Sequence, residues 1–223
     1  MLMIIDVLSR VLAIAFAMTI HEFVKASLST KYGDSLPRTH GRLTLNPFKH
    51  LEPIGFICMY AFGFGWSKPT ETNSTYYSDR NRHTLLTYVV PSVVNILLMV
   101  IFAMLYRIIF ISYSDYLFSI SSTVTLSNIN TLSVMIPQLL RFISYLASYN
   151  FALALFNAIP VKPLDGAKVL ALSLSPNELV KMSAYEKILQ VILILLLATG
   201  ILGYLFNPVM STILQLLMGV QIR

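Results

Sequence analysis

Charge is scarce in this sequence. Only 12% of its 223 residues are Asp, Glu, Lys or Arg, where a soluble domain carries roughly a quarter. That shortage excludes an ordinary water-soluble domain. Cysteine is nearly absent. The single residue, Cys58, rules out an intrachain disulfide and any cysteine-built metal cluster. There is no internal repeat and no low-complexity tract. The glycines of "GFGFGW" lack the strand–helix frame that a phosphate-binding loop needs.

What is present is apolar. Hydrophobic residues make up 56% of the chain, spread from end to end. The expectation is one integral membrane domain covering residues 1–223, in an all-α fold of about four to six spanning or partly spanning helices. The first apolar run holds Asp6 and Arg10 and lacks a small-residue cleavage site, so it reads as a retained helix over Met3–Ser29. "LEPIGFICMYAFGFGW" is too short to span and is expected to form a re-entrant or small β element. Further spans are expected at Leu85–Phe110 and Val134–Phe156, with an exposed loop over Ser112–Asn130 between them. A last apolar block, Ile188–Met218, is interrupted by "GYLFNP".

The charge distribution orients these spans. Eight lysines and arginines lie between His21 and His83, four between Asn157 and Lys187, and two between Arg107 and Arg141. Short basic loops stay on the cytoplasmic side. Both basic stretches therefore face the cytoplasm. The formal charge of +6 is accounted for by one membrane face and needs no nucleic acid.

Two polar clusters sit at membrane depth on that side. One is His21, Glu22 and Lys25 in "HEFVK"; the other is Asn157 and Asp165 in "NAIPVKPLDG". Ionisable groups within a span cost about 2.5–3.5 kcal/mol each on insertion scales, so they mark pairs or sites. A zinc site of the H-E-x-x-H kind places two imidazoles one helical turn apart, with the intervening Glu as base. Position 25 is that second position, and it holds a lysine.

Several motifs together carry a resemblance: "HEFVKASLSTKYGD", "GRLTLNPFKHLEPIG", "GFGWSKPTETN", "VPSVVN" with Pro91 and Asn95, and "FNAIPVKPLDG". They resemble the site-2 protease family of intramembrane zinc metalloproteases, in its short bacterial form without a PDZ domain. The resemblance implies metal ligands at His21 and Asp165, a catalytic base at Glu22, and a catalytic role for Asn157 in holding the substrate strand or the oxyanion. It implies zinc as cofactor, a single-span membrane protein as substrate, and a bacterial cell membrane as location. Lys25 stands where the family has its second zinc histidine.

An ammonium has three donors and no lone pair, and lysine is not among the usual zinc ligands. The expectation is therefore that zinc is absent or weakly bound, with Lys25 paired to Asp165 or Glu22. His40 and His83 read as solvated loop residues, and His50 as no evident replacement. Three functional readings follow. One is an inactive or impaired family member that binds a partner's transmembrane segment. Another is an active protease using Glu22. The third, from a different class, is a small transporter component.

Overall fold

The structure is a computed structural model and describes residues 2–123 and 131–219. Eight α-helices follow in order: α1 (Leu2–Lys31), α2 (Leu36–Thr39), α3 (Pro53–Phe62), α4 (Arg80–Thr123), α5 (Thr131–Asn157), α6 (Asp165–Ala171), α7 (Pro176–Ala198) and α8 (Ile201–Met218). No strand occurs among the described residues. Helices α1, α5 and α8, with the Arg80–Ser114 part of α4, are long and apolar enough to cross a membrane. In lipid, helices satisfy every backbone N–H and C=O internally, which is why a chain of this composition folds this way.

Helix α1 packs against α4 and α5, and α4 also meets α6 and α8. Two stripes of α1, each with a residue every four positions, are buried. Ala13, Ala17, His21, Lys25 and Ser29 form one; Ile14, Met18, Glu22 and Ala26 form the other. The N-terminal half of this face is small and apolar. It meets Ala103 of α4 and Ala147 and Ala152 of α5 within one buried core, the close helix approach that small residues allow in membranes. The C-terminal half of the same face is polar, and continuous packing carries it into the protein interior.

Three expectations change. The segment after Glu52 is helical, not β. Pro53 occupies its first turn and the Glu52 carboxylate caps the Gly55 N–H, so the chain starts a helix there. The expected loop over Ser112–Asn130 is helical as far as Thr123; residues 124–130 lie outside the described residues. No glycine or proline occurs between Pro91 and Pro137, so nothing in the sequence stops the helix where its polarity rises. The last apolar block breaks at Gly200, not at "GYLFNP". Gly200 takes φ 74°, a left-handed conformation that glycine adopts without penalty, while Pro208 sits inside α8.

Candidate functional site

The two polar clusters meet. Lys25 Nζ lies 2.8 Å from Glu22 Oε1 and 2.7 Å from Asp165 Oδ1, with all three side chains buried. His21 Nε2 lies 2.9 Å from Asp165 Oδ2. Its Nδ1 lies 3.3 Å from Asn95 Oδ1. The Asn95 amide donates to Asn150 Oδ1 at 3.1 Å and to the Ala17 carbonyl at 3.4 Å, which leaves its oxygen as the acceptor facing His21. The two imidazole nitrogens thus face Asp165 Oδ2 on one side and Asn95 Oδ1 on the other.

Local structure puts these groups there. His21, Glu22 and Lys25 lie on adjacent positions of one helix face. Asp165 opens α6 directly after the "NAIPVKPLDG" turn, in which the Lys162–Pro163 peptide is cis. Gly166 allows the turn to press on the end of α5. A Cβ at that position would lie 2.5 Å from the Ala158 carbonyl oxygen and 2.6 Å from that of Ile159. No side chain fits without moving Asp165.

Glu22 is engaged on both oxygens. Oε1 accepts from Lys25 and, at 2.7 Å, from Ser67 Oγ; Oε2 accepts at 2.7 Å from the Thr70 N–H. Arg42 Nη2 stands 3.8 Å from Oε2. The carboxylate therefore anchors an extended strap, residues 63–73, across the site. Further pins hold the strap. The Lys68 N–H donates to the His50 carbonyl, the Asn73 N–H to Asp34 Oδ2, and Thr72 Oγ1 shares a 2.7 Å hydrogen bond with the Tyr88 hydroxyl. Ser67, Thr70 and Asn150 carry no sequence signal of this role. Their polar atoms matter only because the fold brings them to Glu22 and Asn95.

Asn157 does not join the cluster. Its Nδ2 donates to the Leu153 carbonyl of its own helix at 3.0 Å. Its side chain lines a different feature, an apolar cavity of about 850 Å³ between α4 and α6, with Leu85, Val89, Val169 and Leu170. Tyr88 forms part of this wall and also of a more polar cavity of about 590 Å³ that reaches Lys25 and Asp165. His40 is exposed and lies 3.4 Å from Glu71. His83 stacks on Tyr32 with ring centroids 4.0 Å apart. His50 is buried, and its Nε2 donates to the Thr44 carbonyl at 2.7 Å.

A zinc centre of the H-E-x-x-H kind takes two imidazoles and a third protein ligand, leaving one position for water. The residues here offer one imidazole, two carboxylates and an ammonium with no lone pair. The ammonium lies between the carboxylates, and the His21 nitrogen nearest them is committed to Asp165. No group of three or more His, Cys, Asp or Glu able to hold a metal occurs among the described residues. The donor set does not fit zinc.

Comparison with known proteins gives the family. The model for Peptidase family M50 matches residues 7–199. A Bacillus subtilis (strain 168) protein named "Putative zinc metalloprotease YwhC" is 28% identical over 201 residues, spanning 90% of this chain and 85% of that protein. No solved structure matches the chain. With motif order, all-helical membrane fold and family match in agreement, the chain belongs to Peptidase family M50, the site-2 protease family.

Proposed function

We propose that this chain is a proteolytically inactive or impaired site-2 protease homologue that keeps a groove for a partner's transmembrane segment. The observation that carries this reading is the position of Lys25 Nζ, within 2.8 Å of both Glu22 and Asp165. A metal-activated hydrolase needs a lone-pair donor at that point and a carboxylate free to take a proton from water. Lys25 supplies no lone pair. Glu22 holds the strap with both oxygens. On this reading Glu22, His21 and Asp165 have exchanged catalytic roles for structural ones.

The groove is the apolar cavity between α4 and α6. Its wall is almost wholly apolar and suits a hydrophobic segment entering from lipid. Asn157 and Gly166 lie on its inner side, where a partner's backbone finds polar contact. The bias of basic residues supports a site on the cytoplasmic side.

Metal analysis of the purified full chain tests the reading. Zinc is expected well below one ion per chain; near-stoichiometric zinc overturns it. Lys25→His is expected to gain zinc and, against a panel of single-span substrates, cleavage that the natural protein lacks.

The name of the B. subtilis relative favours a second reading, an active protease with Glu22 as base. Cleavage by the natural protein that Glu22→Gln abolishes would establish that reading instead.

A further inference from the structure

The loop between α2 and α3 separates two cavities of opposite chemistry. On one side, His40, Arg42, Lys49 and Lys68 line a cavity of about 370 Å³, together with Phe48 and Glu71. Arg42 is buried, and its guanidinium is held by the Lys49 and Lys68 carbonyls and by Thr70 Oγ1. Lys49 and Lys68 are exposed, and among the described residues neither ammonium has a carboxylate within ion-pair distance. Glu71 is the one acidic residue in the lining, and it pairs with His40.

On the other side lies an apolar cavity of about 550 Å³ on the membrane face of α1. Ala15 and Phe16 of α1, Phe102 of α4 and Phe142 of α5 line it, and Leu45 and Pro47 of the same loop close it. Two of the loop's large apolar side chains are strongly exposed, Leu45 at 59% and Phe48 at 85%. Phe48 thus stands out from the protein within three residues of Leu45, at the junction of the two cavities.

We propose that these cavities form one site for an anionic phospholipid, its phosphate between the exposed Lys49 and Lys68 ammonium groups with the buried Arg42 charge behind them, and an acyl chain against Phe16, Leu45 and Phe142. A soluble anion would account for the basic cavity and leave Leu45 and Phe48 in water. A neutral lipid would fill the apolar cavity and leave the lysines unmatched. A molecule with an anionic head and an apolar tail satisfies both, and exposed aromatic side chains favour the membrane–water boundary where such heads lie. The site also touches the cluster described above, because the Arg42 guanidinium reaches Glu22 Oε2 at 3.8 Å.

Native mass spectrometry of the full chain in detergent tests the site. The probes are phosphatidylglycerol and phosphatidylcholine with identical acyl chains, at equal concentration. Phosphatidylglycerol is expected to be retained roughly tenfold or more over phosphatidylcholine. The Lys49→Gln, Lys68→Gln double variant alters two exposed side chains, so the fold is kept, as circular dichroism checks. It should lose most of that preference. Leu45→Gln should lower retention of both lipids. Equal retention by the natural protein overturns the proposal, as does either variant behaving like the natural protein. If millimolar inorganic phosphate strips the phosphatidylglycerol, the cavity is a soluble-anion site and the lipid assignment fails.

Discussion

At position 25 an ammonium, not an imidazole, faces the two carboxylates of the site. Glu22 and Asp165 are both buried and both within 2.8 Å of Nζ. Removing the ammonium leaves two carboxylates facing each other in an apolar interior. Breaking such a pair from one side costs about 3–5 kcal/mol. Lys25→Met is therefore expected to lower the thermal unfolding midpoint in detergent sharply, and adding Glu22→Gln should recover part of the loss. A Lys25→Met protein as stable as the natural one would show that the pair contributes nothing.

His50 gives a pH prediction. Burial holds its imidazole below the ordinary value, with the Arg42 charge acting the same way and the Thr44 carbonyl opposing. Its folded value lies below its unfolded value, about 6.5. The stability tied to the neutral ring is thus intact above that pH and is lost as pH falls below it. The unfolding midpoint should drop between about pH 7.5 and about pH 5, and the drop should shrink in His50→Gln.

Among the elements, α1 matters most. One face serves as a helix-packing seam in its first half and as the site in its second, so packing fixes the depth and rotation of His21, Glu22 and Lys25. The strap is the second key element. It has no regular backbone pairing of its own, and its order comes from pins to Glu22, Asp34, His50 and Tyr88. Ser67→Ala removes one hydrogen bond to a charged group, about 1.5–3 kcal/mol. Faster amide hydrogen exchange across residues 66–72 is the expected result, with α5 unchanged. The α6 turn is equally constrained. Gly166→Ala forces a Cβ onto the Ala158 carbonyl, and overpacking of this kind costs about 1–3 kcal/mol. A Gly166→Ala chain with undiminished stability would contradict that packing.

Among the described residues four helices are long and apolar enough to cross a membrane, and the uneven spread of basic residues gives an orientation that labelling can check. Cysteines introduced at Lys49 and Ser173, in a Cys58→Ser background, should both resist a membrane-impermeant maleimide added outside intact cells. Both should react after the cells are opened. The two cavities that share Tyr88 set an apolar groove and a more polar chamber side by side.

Sequence alone determined the membrane class, the helical fold, the approximate place of each span and the presence of a lysine where a ligand belongs. These follow from hydropathy, from helix-breaking residues and from the chemistry of one side chain, all local properties. Element ends were less legible. The run from Ser112 to Thr123 looks polar and is helical, because helix continuation depends on the absence of a breaker more than on hydropathy. Tertiary structure alone decided what the lysine touches. His21 and Asp165 are 144 residues apart in the chain, and no pattern within either motif sets their distance. The α1–α5 packing and the close approach at Gly166 bring them together, and with them the strap residues Ser67 and Thr70. The Coulomb energy of that cluster depends on separations of a few ångströms in a medium of low polarity, and only the folded chain fixes those.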